Sequence, residues 1–169
     1  MHAIYLFSVW LHILAAMVWI GGMIFLSVIL LPVIRRPEFR TAAPLLVHFS
    51  GVRFRWVGWL CLVVLVLTGA FNLIYRGVAW EDLQIGDFWR SQFGVILSTK
   101  LILVVVVLLL SILHDFFIGP KASALGRANP GSPDALRFRR YASWFGRVNL
   151  FLALAIVALG VMLVRGSWW

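Results

Sequence analysis

The stretch Leu101-Ile-Leu-Val-Val-Val-Val-Leu-Leu-Leu-Ser-Ile-Leu113 is apolar apart from one serine, and segments of this kind decide the fold class. It lies within a longer segment, 91–114, whose only charged side chain is Lys100. Three other segments contain no charge at all, namely 1–34, 56–75 and 148–164. Because about 20 helical residues cross the hydrocarbon core of a bilayer, all four segments predict transmembrane helices. None of them shows the apolar and polar alternation of a barrel strand.

The composition agrees with a protein that lies almost entirely within the membrane. Of its 169 residues, 63% are hydrophobic and 12% are charged, which is unlike a soluble domain. We therefore predict an all-α integral membrane four-helix bundle that forms a single domain. The predicted helices cover approximately 4–34, 56–75, 91–118 and 148–165, and Pro37-Glu38 opens an interfacial helix over approximately 37–50. The one cysteine, Cys61, excludes an intramolecular disulfide.

The charged residues predict how the chain is oriented. The first connection contains five arginines against Glu38: Arg35, Arg36, Arg40, Arg53 and Arg55. The third connection is also strongly basic, whereas the second, 76–90, has two arginines against three acidic residues. The positive-inside rule therefore places the first and third connections in the cytoplasm and both termini on the outer, periplasmic side of the cell inner membrane. Because the net charge of +9 is explained by this topology, we expect no nucleic-acid partner.

Tryptophans at the predicted ends of the spans are consistent with that topology, because this residue type favours the interfaces of a bilayer. Trp56 and Trp59 belong to one interface, and the other would contain Trp80, Trp89, Trp168 and Trp169.

Polar residues within the spans are the candidates for function, because burying them in lipid costs free energy. At a rise of 1.5 Å per residue, His12 and Lys100 both lie about 12 Å below the outer surface. Thr68 and Asn72 lie in the outer half of the second helix, so three helices bring polar groups to one level. We predict a site in which His12 is a metal ligand, Lys100 is the catalytic group or an anion partner, and Asn72 lines the cofactor. Trp19 and Gly22 share a helical stripe with His12 and would line the same cofactor.

Simpler interpretations of these residues also exist. His12 would then be a core histidine that is hydrogen-bonded to a neighbour, and the stem of Lys100 would carry its amine to the outer interface. Thr68 and Asn72 would join helices by hydrogen bonds.

His48 and His114 form a second candidate group near the cytoplasmic side. If the two imidazoles meet, they could serve as two axial heme ligands or as a metal pair. The alternative is that both are ordinary interfacial histidines.

The segment Leu11-His-Ile-Leu-Ala-Ala-Met-Val-Trp-Ile-Gly-Gly22 resembles the first helix of CopD-like membrane proteins, a family named for bacterial copper resistance. Thr68-Gly-Ala-Phe-Asn-Leu73 and the stretch from Phe93-Gly94 to Lys100-Leu101 are similar to later helices of that family. The run from His114-Asp115-Phe116 to Gly119-Pro120 resembles the short, stand-alone members. This resemblance implies a membrane bundle and an involvement with copper.

The spacing of His12, Trp19 and Gly22, with Lys100 later, also resembles the HemJ-type protoporphyrinogen oxidases. That resemblance implies that His12 binds heme b and that Lys100 takes part in activity. The Leu-Pro-Arg sequence of those enzymes is absent after the first helix, and their third-helix histidine is expected near Ser111 but occurs here at His114. These departures favour a related heme-binding bundle over a porphyrinogen oxidase.

Three classes of function follow. The first is a membrane oxidoreductase or electron-transfer protein that binds heme b, with quinol or a periplasmic electron donor as partner. The second is a copper transport or homeostasis protein in which His12 is the ligand. The third is a cofactor-free accessory subunit that meets other subunits or a second copy of itself through apolar faces.

Overall fold

Four long helices make up most of the molecule. The computed structural model describes residues 2–39, 41–129 and 131–166. Within these ranges, four helices are long and apolar enough to cross a membrane. They are α1 (His2–Ile34), α2 (Ala43–Tyr75), α3 (Gln92–Ala128) and α4 (Pro133–Arg165). Short 3₁₀ turns occur at Pro37–Phe39 and Asp82–Gln84, and a short helix covers Gly86–Arg90. Since the described ranges contain no strand, the predicted all-α, multi-pass membrane fold is confirmed.

Local signals account for where these helices begin and end. The Ser91 hydroxyl accepts the backbone N–H of Gly94 at 3.0 Å, and Ser132 accepts that of Ala135 at 3.2 Å, so each serine caps a helix. α4 also has a proline in its first turn, where the missing N–H costs nothing. It ends at Gly166, whose φ of +87° is a conformation that glycine adopts without strain.

The structure differs from the prediction in the first connection. The expected interfacial helix over 37–50 is not a separate element, because a short 3₁₀ turn precedes a single helix that runs from Ala43 to Tyr75. Pro44 lies in the first turn of α2, where proline starts a helix, and Gly51 has open space around it and does not stop one. Arg40, Trp168 and Trp169, which entered the topology prediction, lie outside the described residues.

The fourth helix is also longer than predicted. It begins at Pro133 instead of near residue 148, so its 33 residues extend over about 50 Å, well beyond a hydrocarbon core of about 30 Å. The last part of α3 packs against this extension, and together they form a helical hairpin. The third connection is therefore mostly helical.

The helices associate as two pairs. α1 packs mainly against α2 and α3 against α4, and the pairs meet where α1 contacts α4 and where the last part of α3 contacts α2. Arg76, after α2, donates to the Leu163 carbonyl of α4 at 3.2 Å, so the second connection and the end of α4 share one end of the bundle. We call this the terminal end. The opposite end, with the first and third connections, is called the basic end.

A small core lies between the pairs. Its buried members are apolar or sulfur-containing and come from all four helices: Ala15, Trp19, Met23, Cys61, Leu62, Val107 and Ala153. Most other large apolar side chains are exposed, as expected where lipid covers the surface.

Candidate functional site

Several polar and aromatic side chains lie between α1 and α2 in the half of the bundle nearer the terminal end. The rings of Tyr5 and Tyr75 stack with centroids 4.3 Å apart, and two turns deeper the His12 Nδ1 lies 2.7 Å from the Thr68 hydroxyl. Ser8 of α1 and Asn72 of α2 lie one helical turn from each of these two contacts. The Ser8 Oγ and the Asn72 Oδ1 are buried, and neither has a hydrogen-bond partner among the described residues. The contact between α1 and α2 therefore contains two buried oxygens, close to His12, that could still form hydrogen bonds.

The hydrogen bonds of Thr68 determine which nitrogen of His12 carries the proton. The Thr68 hydroxyl donates its only hydrogen to the Val64 carbonyl, 2.6 Å away. It can then only accept from His12, so His12 Nδ1 is the donor of the bond between them. In the neutral ring the lone pair of His12 is consequently on Nε2, and the Leu65 carbonyl is a second hydrogen-bond acceptor beside the imidazole. A histidine held in this way is arranged as metal-binding histidines are.

Lys100 reaches the same region from α3. Its Nζ lies 3.3 Å from the position that a β-carbon on Gly160 of α4 would take, so the absence of a side chain at Gly160 makes room for the amine. Lys100 is close enough to His12 for the two groups to interact electrostatically. Within the described ranges, Lys100 forms no ion pair with a carboxylate. The structure therefore brings His12, Thr68 and Lys100 together around a positive charge that no described carboxylate neutralises.

Trp19 and Gly22 lie deeper along α1, in the packing between α1 and α2. The Trp19 ring is buried and lies 3.6 Å from where a β-carbon on Gly58 would be. The Phe54 ring covers Gly22 so closely that a β-carbon there would collide with it. The two glycines, Gly22 and Gly58, thus let the helices approach closely. Their predicted role as cofactor lining stays a prediction.

His48 and His114 are not brought together. The His48 Nδ1 lies 3.0 Å from the Ser123 hydroxyl, whereas the His114 Nδ1 donates to the neighbouring Asp115 carboxylate at 2.8 Å. Ser123 follows His114 by nine residues on α3, which corresponds to about 13 Å along a helix. The described residues include no group of three or more His, Cys, Asp or Glu side chains that could hold a metal. The two histidines therefore have different hydrogen-bond partners, and their role as ligands stays a prediction.

Two polar clusters toward the basic end were missed in the sequence. Asp115 accepts hydrogen bonds from His114 and, at 3.0 Å, from the Trp59 indole of α2. Asn149 of α4 donates to the Ser111 hydroxyl at 3.0 Å, and its own Oδ1 is buried without a partner among the described residues. Asn149 had a signal, because it is the only polar residue in the uncharged segment 148–164.

Two grooves lie elsewhere in the molecule. An open groove of about 380 Å³ at the terminal end is lined by residues of the second connection and its flanks: Arg76, Gly77, Val78, Asp82, Phe88 and Phe93. A smaller, apolar groove of about 260 Å³ lies between the outer parts of α1 and α2. His12 and Lys100 line neither groove, so their site is a packed polar cluster between helices.

Comparison with known proteins supports a family assignment. An uncharacterized protein of Aquifex aeolicus (strain VF5) is 34% identical over 158 residues, which is 92% of each chain. No solved structure matches the chain significantly. The family model described as "CopD: Copper resistance protein D" matches residues 51–163, a range that includes Thr68, Lys100 and Gly160. The chain therefore belongs to the CopD family of membrane proteins.

Proposed function

We propose that the cluster of His12, Thr68 and Lys100 binds a metal centre that carries an anionic group, and that the protein uses this centre in redox chemistry within the membrane. One observation carries the proposal. The free lone pair of His12 Nε2 lies within electrostatic reach of an ammonium group for which the described residues provide no counter-ion. An imidazole lone pair takes a metal, and an unpaired cation in a lipid-shielded interior favours an anion beside it.

Heme b is the centre that this donor set fits best. An imidazole is a common axial ligand of heme iron, and a lysine could neutralise a propionate. When bound, heme supplies one-electron transfer, and the chain holds His12 in the required tautomer through Thr68. His12 and Lys100 line neither of the two grooves described above, so we expect the α1–α2 pair and the α3–α4 pair to move apart when the cofactor binds. Quinol or a periplasmic donor would supply the electrons from the outer side.

Copper is the second candidate, and the family match favours it. Sulfur ligands are the usual partners of Cu(I), but Met17 is 66% exposed on the lipid-facing surface and Met23 and Cys61 are buried in the core. A bare copper ion at His12 would also be repelled by the Lys100 ammonium. Copper would therefore have to bind together with an anionic ligand.

The absorption spectrum of the purified protein tests the proposal most directly. If the protein binds heme, a preparation in detergent should show a Soret band that shifts when dithionite is added. If it binds copper instead, elemental analysis should find about one copper ion per chain. A colourless, metal-free preparation that retains stably bound subunits would contradict the proposal and favour an accessory subunit.

Replacing Lys100 by methionine distinguishes the two centres. Because the substitution removes the cation that pairs with propionate, heme should bind more weakly, by about tenfold if one charge-assisted interaction of roughly 1.5 kcal/mol is lost. A copper ion should bind as well as before or better, because its repulsion is relieved. Titration of each cofactor into apoprotein measures both effects, and Lys100→Arg, which retains the charge, is the matched control.

Replacing Thr68 by valine tests the orienting hydrogen bond. Valine has nearly the same shape but cannot accept from His12 Nδ1, so the affinity for the metal centre should fall by about 10–100-fold. Thr68→Ser keeps the hydroxyl and should retain most of the affinity. Equal affinities for the two variants would show that the bond does not support ligation.

A further inference from the structure

Among the arginines of the described ranges, Arg55 is the one with a buried guanidinium nitrogen that lacks a hydrogen-bond partner. The guanidinium groups of four arginines donate hydrogen bonds to described residues: Arg76, Arg127, Arg137 and Arg147. Arg55 makes none, and its Nε is buried without a partner among the described residues. The ion pairs of the described ranges do not include it. Arg55 is therefore a partly dehydrated cation that lacks an acceptor.

The surroundings of Arg55 hold its guanidinium in place without neutralising it. The Cζ of Arg55 lies 5.8 Å from the centre of the Phe116 ring, which in turn lies 5.8 Å from the Trp59 ring. The nearby Asp115 carboxylate accepts hydrogen bonds from Trp59 and His114 and forms no ion pair with Arg55. The Phe116 ring thus positions the guanidinium of Arg55, while the Asp115 carboxylate bonds to Trp59 and His114.

The location of Arg55 indicates what kind of anion would bind to its guanidinium. Arg55 immediately precedes the uncharged segment 56–75, so it lies where the hydrocarbon region begins. The ring beside its guanidinium, Phe116, is 55% exposed, and the next residue of α2, Trp56, is 74% exposed. A ligand there would meet a guanidinium at its charged end and an apolar surface along its tail. A phospholipid has this chemistry.

We propose that Arg55 binds the phosphate of an anionic phospholipid, whose acyl chains lie along the apolar surface beside α2 and α3. The two Nη groups of Arg55 donate to no described residue, and the planar guanidinium matches a phosphate in two-point contact. Phe116, which belongs to the π-helical segment Leu113–Ile118, lies beside Arg55 and exposes its ring on this surface. The site is independent of His12 and of the function proposed for it.

A lipid titration tests this site. Phosphatidylglycerol added to the full-length protein in detergent should raise its melting temperature, whereas phosphatidylcholine should raise it less. In Arg55→Gln the apparent affinity for phosphatidylglycerol should fall about tenfold or more, the loss expected when a charge-assisted hydrogen bond to phosphate is removed. The matched control is Arg53→Gln, which removes the same charge from an exposed position on the same helix and should change the affinity less than twofold.

Two further variants keep the test decisive if Arg55→Gln does not fold. Arg55→Lys retains the charge without the planar fork, and Phe116→Leu retains the arginine without its ring platform, so both should bind phosphatidylglycerol more weakly than the wild type. Equal losses in Arg55→Gln and Arg53→Gln would overturn the proposal, because they would indicate only general attraction to the basic end. Equal stabilisation by millimolar inorganic phosphate would also overturn it, because the acyl chains would then contribute nothing. His12→Ala should leave the lipid effect unchanged.

Discussion

His12→Ala is expected to abolish binding of the metal centre. The substitution removes the only imidazole in the cluster formed with Thr68 and Lys100, and it leaves no other nitrogen donor at that position. Loss of one axial ligand should lower the affinity by two orders of magnitude or more, since even outer-shell substitutions cost about 10–100-fold. The measurement is the cofactor content of the purified variant, from the Soret absorbance for heme and from elemental analysis for copper.

His114→Ala is the matched control for this prediction. His114 has the same tautomer as His12, because its Nδ1 donates to Asp115 and its Nε2 is left free, but it lies near the other end of the bundle. Its replacement should leave the cofactor content unchanged. If His114→Ala removed the centre and His12→Ala kept it, the binding site would have to move to the basic end. Equal retention in both variants would exclude a histidine ligand at either position.

Gly94→Ala is expected to cause a large loss of stability, because Gly94 of α3 packs against the end of the second connection. Gly94 is buried in the first turn of α3, where a β-carbon would collide with the Phe88 carbonyl oxygen and would lie 2.8 Å from the Trp89 Cα. Both neighbours are backbone atoms, so no side-chain rotation relieves the clash. Overpacking of this kind typically costs 1–3 kcal/mol, and a backbone clash should reach about 3 kcal/mol. Thermal unfolding in detergent measures the change.

Gly21→Ala controls for the general effect of adding a methyl group to a helix. Gly21 is exposed on α1, and nothing lies within 4 Å of the position its β-carbon would take. Because alanine favours a helix more than glycine does, this variant should be as stable as the wild type or slightly more stable. A Gly94→Ala protein that unfolds at the wild-type temperature would show that the Phe88–Trp89 segment moves freely away from α3.

The positions of the membrane spans could be predicted from the sequence because charge and lipid are incompatible over about 20 residues. The uncharged segment 56–75 lies entirely within α2, and Lys100 did not interrupt α3. The ends of the helices at the basic end could not be predicted in this way. Outside the lipid a helix continues until a local signal stops it, and between Pro44 and Trp56 there is none, so the apparent interfacial segment became part of α2.

That His12 and Lys100 lie at a similar level of the bundle was also predictable, since a helix rises by a constant 1.5 Å per residue. Counting could not supply their partners. Thr68 is 56 residues from His12, and its hydroxyl directs its hydrogen to Val64, so the tautomer of the imidazole depends on a contact between two helices. The pairing of Trp59 with Asp115 and the separation of His48 from His114 likewise depend on how the helix pairs meet.

The sequence by itself therefore determined that the chain crosses a membrane with four helices, because that outcome depends on the hydrophobicity of each segment taken alone. Only the tertiary structure decided which polar groups face one another, which nitrogen of His12 is free and which arginine lacks an acceptor. Those properties depend on the rotation and relative depth of neighbouring helices, and packing between side chains far apart in the sequence sets both.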